Sequence, residues 1–352
     1  MQLDYLIIGQ GVSGTFLSYY LQKENKNFLV IDDHFKDAPS RVAAGIINPV
    51  TGRRLVTVWM ADVVLPFAKS AYDEIGSHLN IKAISEKPVI DFFPNPFMRE
   101  GFLKRIEENG QYLYDSSPSE QFSPYFNFEF GCGMISPAFT AHIESLLPAW
   151  RKHLLKGNLL LEERFDIDQL ELKEHEIRYK EFRAQKIIFC DGSASAESPF
   201  FRLLPFAPNK GEVLVIEVPG LPNDHIYKKS MTMAPLAEKD TFWVGSIYHW
   251  EFDNAHPTPA FRKNTEDVLN EWLKLPFKVI DHRASIRPAT LERRPFVGLH
   301  PIHSNVAILN GMGTKGCSLA PFFAKQLVDH LLYNAPIIAE ADVKRFSRIL
   351  AR

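Results

Sequence analysis

The chain has 352 residues, 45% of them hydrophobic, and a formal net charge of −2 at pH 7. That length predicts about two domains, and the near-neutral charge provides no general attraction to nucleic acid or to an anionic membrane. No apolar segment approaches the roughly 20 residues that a membrane-spanning helix needs, and the first predicted strand starts too early to leave room for a signal peptide. Three widely spaced cysteines predict reduced thiols in a cytoplasmic protein, and the 12 histidines show no paired spacing that would predict a metal site.

An apolar run and a glycine-rich turn open the chain. Residues 5–8 predict a buried strand, and residues 9–14 follow with the pattern G-x-G-x-x-G. A predicted helix at 15–23 and a second strand at 28–31 complete the strand–turn–helix–strand context of a dinucleotide-binding unit. Asp32 ends that second strand, where an acid accepts hydrogen bonds from a ribose hydroxyl. The pattern leaves FAD and NAD open as ligands.

The residues of this turn have distinct physical roles. Gly9 permits a tight turn out of the strand, Gly11 lets a pyrophosphate approach the backbone, and Gly14 lets the helix pack close to the strand. Val12 and Ser13 lie where the start of the helix offers free N–H groups to phosphates.

A cluster of small residues comes a few positions after the ribose-binding acid. Ser40, Ala43, Ala44 and Gly45 suit a backbone that runs against a flat ligand, because small side chains allow close approach. Close packing of a helix is the alternative interpretation of the same composition.

Two segments have the composition of a separate β-rich unit. Residues 81–134 and 208–287 combine strand-like runs with proline, glycine and aromatic residues. We expect the aromatic side chains to form the core of that unit, because the chain lacks the basic excess that accompanies base stacking.

The intervening segment predicts further parts of the nucleotide domain. Ser136 and Pro137 predict the start of a helix over residues 138–155, with Ser136 as its N-cap. Residues 184–192 predict a buried strand that ends in Gly192 and returns in parallel to the central sheet. Three short strands are predicted to form a meander before it, at residues 159–162, 170–173 and 177–179.

A second strand–turn–helix unit lies near the end of the sequence. Residues 306–310 predict a buried strand, residues 311–316 are rich in glycine, and residues 319–332 predict a helix whose N-terminus could face negative charge. We therefore predict an α/β nucleotide-binding domain made of three segments and an inserted unit made of two, with the boundaries 1–80, 135–207 and 288–352 for the first and 81–134 and 208–287 for the second.

Taken together, these features resemble the FAD-dependent D-amino-acid oxidase superfamily, in particular its glycine oxidase and sarcosine oxidase-like branch. The resemblance spans essentially the whole chain. Beyond the N-terminal fingerprint its parts are SRVAAG at 40–45, IIFCDG at 187–192, KGE at 210–212, WVGSIY at 243–248, ASIRPAT at 284–290, PFVG at 295–298 and NGMGTKGCSLAP at 310–321. It implies a Rossmann-like FAD-binding domain of the GR2 type with an inserted, antiparallel β-rich substrate domain (α+β).

The resemblance implies noncovalently bound FAD as the cofactor. The fingerprint glycines and Asp32 would hold its ADP half, and the small residues at 40–45 would run along the phosphates and the flavin. Gly192 would approach the cofactor after the returning strand. At the pyrimidine edge of the flavin, a helix dipole and backbone N–H groups would stabilise the negative charge of the reduced ring. The residues at that edge would be Gly313, Thr314, Lys315 and Gly316.

For the substrate, the resemblance implicates Arg287. In the family an arginine at this place pairs with the substrate carboxylate, which a planar guanidinium suits better than lysine does. An interdomain salt bridge is the alternative role. Tyr248 and His249 would either orient the amine or form the pocket wall. Lys315 would pair with the flavin or aid charge stabilisation, or would be a solvated lysine at a helix start.

The implied activity is oxidation of the C–N bond of a small amino acid or N-substituted glycine. Hydride would pass to flavin N5, the imine would hydrolyse, and oxygen or another acceptor would reoxidise the flavin. Three alternatives stay open: FAD-dependent oxidation of a carboxymethylamino group on a modified tRNA base, a flavin-binding protein without turnover, and an NAD-dependent dehydrogenase. The last fits the second glycine turn poorly, and the sequence does not predict an oligomeric state.

Overall fold

The computed structural model describes residues 2–52, 54–116, 118–174 and 176–352. The helices are α1 (Val12–Lys23), α2 (Pro39–Val42), α3 (Ala61–Leu79), α4 (Pro96–Asn109), α5 (Ile143–Lys156), α6 (Pro259–Trp272), α7 (Gly316–Tyr333) and α8 (Ser347–Leu350). The strands are β1 (Gln2–Ile8), β2 (Phe28–Ile31), β3 (Ile46–Ile47), β4 (Val50–Thr51), β5 (Val56–Thr57), β6 (Ile84–Glu86), β7 (Val89–Phe92), β8 (Leu113–Asp115), β9 (Cys132–Ile135), β10 (Phe139–Ala141), β11 (Leu160–Leu161), β12 (Leu170–Leu172), β13 (Ile177–Tyr179), β14 (Phe182–Phe189), β15 (Asn209–Glu217), β16 (Ile226–Lys228), β17 (Thr232–Pro235), β18 (Thr241–Gly245), β19 (Lys278–Arg287), β20 (Phe296–Leu299) and β21 (Val306–Asn310).

The central sheet is largely parallel. Strand β1 lies between β2 and β14, and β21 continues the sheet beyond β14, all four in parallel. Apolar residues of α1, α3, α5 and α7 form one core cluster with residues of β1 and β14. The returning strand is therefore confirmed, as is the α/β, Rossmann-like fold class. Because the carboxyl ends of parallel strands share one edge, the turns after β1, β2, β14 and β21 are brought together there.

The predicted meander is wrong in its first strand. Leu160 and Leu161 of β11 pair in parallel with Val30 and Ile31 of β2, and so extend the central sheet. Only β12 and β13 run antiparallel to each other, next to the first half of β14. The two leucines of β11 extend the apolar layer formed by β2. Three short strand-like runs in a row do not indicate which of them pairs with a strand from an earlier part of the chain.

The helix predicted over residues 138–155 begins later, at Ile143. Residues 139–141 form β10, which pairs with both β3 and β6, and His142 occupies the N-cap position of α5. Phe139, Thr140 and Ala141 are buried between these two strands. Sheet partners from distant parts of the chain thus override a local helix-start signal.

A second eight-stranded sheet has the order β19-β15-β18-β17-β16-β7-β9-β8. All neighbours in it are antiparallel except β16 and β7. Strands from both β-rich segments contribute to this one sheet, and β16 and β17 form an antiparallel hairpin within it. We propose that the two large sheets are the centres of the two predicted domains, with the boundaries given above.

The aromatic residues of the β-rich segments are mostly buried, as predicted. Phe92, Phe126 and Trp272 pack against one another, with ring centroids 4.9 to 5.7 Å apart. Phe97 is an exception, because 82% of its surface is exposed on the first turn of α4. That helix was not predicted within the β-rich unit.

Within the described ranges, no helix combines the length and the apolar character needed to cross a bilayer.

Candidate active site

The first glycine turn is as tight as its sequence predicts. Gly9 has a φ of +98°, in the region that favours glycine. A Cβ placed on Gly14 would lie 1.9 Å from the carbonyl oxygen of Gly9, so the start of α1 sits directly on the turn. The N-cap residue of α1, Gly11, has no side chain with which to cap the helix, and by helix geometry the N–H groups of Ser13 and Gly14 lack helical acceptors.

Ser40 is placed against this turn although it lies 28 residues away. Its hydroxyl oxygen accepts a hydrogen bond from the N–H of Val12 (3.1 Å). A Cβ on Gly11 would come within 3.0 Å of the same oxygen and would meet only that side chain. The structure therefore brings Ser40 together with Gly11 and Val12 at the start of α1.

Asp32 lies at the carboxyl end of β2 and holds a network of donors. Its Oδ2 accepts from the N–H of Gln10 (2.8 Å), and its Oδ1 accepts from Arg151 Nη1 (2.6 Å). Arg151 also pairs with Glu162 (2.9 Å), and Arg41 Nη2 lies 3.7 Å from Asp32 Oδ1. These contacts fix the carboxylate of Asp32 at the end of β2.

Arg151 was not identified from the sequence, although a signal exists. It stands on α5 four residues after Leu147 and three before Leu154, on the buried stripe of that helix. A charged residue on an apolar stripe is almost never fully buried unless it is paired. Arg151 is buried, and Asp32 and Glu162 are its partners.

The segment of small residues contacts β18 of the second large sheet and β10 of a small three-stranded sheet. The indole N–H of Trp243 on β18 donates to the carbonyl of Val42 (2.8 Å), next to Ala43 and Ala44. Gly45 has a φ of +75°, and a Cβ there would lie 1.9 Å from the carbonyl oxygen of Ala141. Close packing on β10 therefore accounts for glycine at position 45, and a role in holding a ligand stays a proposal for Ala43, Ala44 and Gly45.

The turns after β14 and β21 are tied together by a buried amide. Asn310 Nδ2 donates to the carbonyl of Gly192 (2.8 Å) and to Asp191 Oδ1 (3.2 Å), and its Oδ1 accepts from the N–H of Gly311 (2.8 Å). Burial raises the pKa of Asp191 to about 6, although hydrogen bonds from Ser195 and Asn310 oppose the shift. Gly192 has a φ of +62°, and a Cβ on it would meet no atom within 4 Å. Asn310 was not singled out from the sequence.

The second glycine turn leads into α7. The N–H of Gly313 donates to the carbonyl of Pro288 (3.2 Å), so this turn contacts the residue directly after Arg287. Helix α7 has no side-chain cap and no acidic residue in its first turn, which begins at Gly316, and Thr314 beside it is exposed. This leaves an uncapped, positive helix end at the site.

Lys315 immediately precedes α7 and is half-buried. Among the described residues no carboxylate lies within 4.0 Å of its ammonium group. Burial lowers the pKa of Lys315 to about 8. The ammonium group of Lys315 therefore loses its charge as the pH rises through about 8.

Arg287 ends β19 with a guanidinium that contacts only neutral groups. Its Nη1 donates to Asn209 Oδ1 (2.9 Å) and to the carbonyl of Ile247 (3.2 Å), and its Nη2 donates to Ser246 Oγ (2.5 Å). Across the described part of the chain no carboxylate lies within 4.0 Å of it, so the interdomain salt bridge does not form. Burial lowers the pKa of Arg287, partly offset by Tyr248, but a guanidinium stays protonated at neutral pH.

Tyr248 and His249 differ in their relation to Arg287. The ring centroid of Tyr248 lies 5.0 Å from the guanidinium carbon, in a cation–π contact. The backbone of His249 pairs with that of Lys210, so their two side chains lie on the same face of the sheet. Asn209, which precedes Lys210 and pairs with Arg287, points to the opposite face together with Arg287. His249 thus projects from the face away from Arg287, and the structure does not bring its imidazole to the guanidinium.

Comparison with known proteins places this geometry in a family context. A family model described as FAD dependent oxidoreductase (DAO) matches residues 4–330. Glycine oxidase from Geobacillus kaustophilus is 16% identical, with a TM-score of 0.80 and 98% of each chain covered. Iminodiacetate oxidase from Chelativorans sp. BNC1 is 18% identical, with a TM-score of 0.78 and 98% of each chain covered. L-proline dehydrogenase from P. horikoshii is 12% identical, with a TM-score of 0.79, covering 99% of this chain and 98% of that one.

Proposed function

Because the chain belongs to the FAD dependent oxidoreductase (DAO) family, we propose that it oxidises the C–N bond of a small amino acid or N-substituted glycine. The observation that carries this proposal is the half-buried guanidinium of Arg287, which has neutral partners and no carboxylate. A buried charge without a counter-ion is costly, so it is retained where a ligand supplies the opposite charge. A carboxylate, which accepts two parallel N–H bonds, is the matching group.

The residues at the carboxyl edge of the central sheet fit FAD. The N-cap residues of α1 and α7 make no side-chain hydrogen bond to the helix, and space is open beside Gly192, where a flat ligand could approach the backbone. We propose that Asp32 binds the ribose and that the turn before α7 meets the flavin. When bound, FAD supplies the hydride acceptor of the reaction. The proposed cofactor contacts are Gly9, Gly11, Val12, Ser13, Gly14, Asp32, Ser40, Ala43, Ala44, Gly45, Gly192, Gly313, Thr314, Lys315 and Gly316.

Arg287 would hold the substrate by its carboxylate next to the turn that precedes α7. The contact between Pro288 and Gly313 makes these two parts of the site adjacent. Tyr248 would cover one face of the guanidinium through its cation–π contact and so keep water from that face of the ion pair. A neutral amine held in this way needs no side-chain base, since the C–H bond is the one that breaks. The resulting imine is hydrolysed by water.

The printed names of the structural neighbours are consistent with this substrate class. Glycine, iminodiacetate and L-proline all carry a carboxylate on a carbon next to an amine nitrogen. At 12–18% identity these neighbours share the fold with this chain. The substrate of this chain within that class is therefore to be identified by testing individual amino acids.

Lys315 gives a prediction on pH dependence. Its pKa, lowered by burial to about 8, means that the ammonium group loses its charge as pH rises through that value. The charged form is the one that stabilises negative charge, so we expect Lys315→Met to slow substrate-dependent flavin bleaching by about tenfold or more at pH 7. The ratio of wild-type to variant rates should fall towards one as pH rises above about 8. That ratio, measured from pH 6.5 to 10, cancels the titration of the substrate amine, and a ratio that does not change with pH would contradict the role.

Cys317 gives a prediction on cofactor attachment. Burial raises the pKa of its thiol to about 11, and the thiolate is the nucleophile that covalent attachment requires. We propose noncovalent FAD and expect acid denaturation to release all flavin into the supernatant, in wild type and in Cys317→Ala alike. Flavin fluorescence that stays with the denatured wild-type chain would show that the flavin is attached covalently.

The proposed function is tested by the absorbance spectrum of the FAD-loaded protein under anaerobic conditions. Glycine, sarcosine, D-alanine and both enantiomers of proline are added separately. Bleaching by at least one of them, with formation of the corresponding carbonyl or imine product, supports the proposal. If none bleaches a flavin that dithionite does reduce, the substrate class is wrong. Admission of oxygen then tells whether oxygen or another acceptor reoxidises the flavin.

A further inference from the structure

The guanidinium of Arg287 is held by three neutral groups, here called its seat: the side chains of Asn209 and Ser246 and the backbone carbonyl of Ile247. Asn209 is the buried residue of the three. Asn209 begins β15 directly opposite Arg287 in the antiparallel register, and only 1% of its surface is exposed. Its amide oxygen accepts a hydrogen bond from Arg287 Nη1 at 2.9 Å. The other partners are a backbone carbonyl and the hydroxyl of Ser246.

Gly211 provides the space for this arrangement. It lies two residues after Asn209, on the same face of β15. A Cβ on Gly211 would lie 1.8 Å from Arg287 Nη2 and 2.2 Å from Cζ. The guanidinium therefore lies flat across the strand, where a side chain at position 211 would displace it.

The charged groups nearby are directed away from this seat. Glu212, the next residue on β15, is fully buried on the opposite face, where it pairs with Lys210 (3.3 Å) and accepts hydrogen bonds from Thr258 and His282. It therefore leaves the charge of Arg287 uncompensated. Of the five donors of Arg287, Nη1 uses two and Nη2 uses one within the described chain, so Nε–H and one Nη2–H remain for a ligand.

Resting on the function proposed above, we infer that Asn209 is the positioning and specificity-determining residue of the carboxylate subsite. Its amide oxygen fixes the guanidinium as an aspartate would, but without a negative charge. The full positive charge of Arg287 is thereby kept for the substrate. An aspartate of the same shape at position 209 would form an internal ion pair and compete with every carboxylate ligand.

The test uses FAD-loaded protein and propionate as the probe, with binding followed by perturbation of the flavin absorbance. Asn209→Asp should weaken propionate binding at least about 30-fold, because the counter-ion of Arg287 is then supplied by the protein. Asn209→Ala removes the anchor but keeps the charge, and we expect a loss of less than about tenfold. With an amino acid that bleaches the flavin, Asn209→Asp should raise KM far more than it lowers kcat.

Ser246→Asp serves as a second, independent variant, because it places a carboxylate beside Nη2 from another strand end. It should weaken propionate binding as Asn209→Asp does, while FAD affinity and the melting temperature report on folding. If both acidic variants bind FAD and also bind propionate like wild type, the inference is overturned. If Asn209→Ala loses as much affinity as Asn209→Asp, the residue is only an anchor and the inference is again overturned.

The same experiment separates this inference from the proposed function. Arg287→Ala should abolish propionate binding. If it leaves propionate affinity unchanged, the carboxylate site itself is wrong. If Arg287→Ala abolishes binding and Asn209→Asp does not weaken it, the proposed function stands and the role of Asn209 fails.

Discussion

Arg287→Ala should retain FAD and lose most of its activity on amine substrates that carry a carboxylate. Removing one partner of a hydrogen-bonded, desolvated charge pair costs about 2–5 kcal/mol, so we expect kcat/KM to fall by about 30- to 4,000-fold. The loss should appear mainly in KM, because the guanidinium holds the part of the substrate that does not react. Steady-state kinetics with the substrate identified by flavin bleaching measure both parameters.

Arg283→Ala is the matched control for this variant. Arg283 lies on the same face of β19, but it pairs with Asp281 (2.6 Å) and lies 4.0 Å from Glu144. Truncating it removes an arginine from the same strand without touching the proposed carboxylate site. Equal losses in Arg283→Ala and Arg287→Ala would mean that β19 is weakened in general and that Arg287 has no specific role.

Gly14→Ala should abolish stable FAD binding. The added Cβ would lie 1.9 Å from the carbonyl oxygen of Gly9, a backbone atom that cannot rotate away as a side chain can. Helix α1 and the turn must then separate, and overpacking of this kind typically costs about 1–3 kcal/mol or more in stability. We expect FAD affinity to fall at least about 100-fold, or about 2.7 kcal/mol. Fluorescence titration of the apoprotein with FAD measures this, alongside the melting temperature.

Gly101→Ala provides the control for that substitution. Gly101 lies in the exposed middle of α4, and a Cβ there would meet no atom within 4 Å. Replacing glycine by alanine inside a helix stabilises it by about 0.5–1 kcal/mol, so this variant should be slightly more stable and bind FAD like wild type. An unaltered FAD affinity in Gly14→Ala would show that FAD binding does not depend on the close contact between α1 and the turn.

The parts of the fold that the sequence predicts best are those fixed by local chemistry. The unit of β1, the glycine turn, α1 and β2 is predicted because its hydrophobic period changes from strand to helix at residues that need special backbone angles. Strand β21 and the turn before α7 are predicted for the same reason. Strand β10 is not, since it forms only through pairing with β3 and β6, which come from much earlier in the chain.

The residues of the candidate site also differ in how well the sequence predicts them. Arg287 was singled out through family resemblance, but its guanidinium is held by Asn209, which lies 78 positions earlier in the chain, and by Ser246 and Ile247, which lie 41 and 40 positions earlier. No periodicity links such residues. The pairing of Arg151 with Asp32, 119 positions away, is equally invisible in a single sequence. What sequence reasoning lacks is thus the register of strands and the direction of long side chains.

The most direct test of the central claim compares each amino acid with its decarboxylated amine. Glycine is paired with methylamine, sarcosine with dimethylamine and proline with pyrrolidine, and the rate of anaerobic flavin bleaching is measured below saturation at one pH. A carboxylate held by Arg287 predicts that the acid reacts about 100-fold faster than its amine in at least one pair, and that Arg287→Ala removes the difference. Equal rates within every pair, or bleaching by the amines alone, would contradict carboxylate recognition and with it the proposed substrate class.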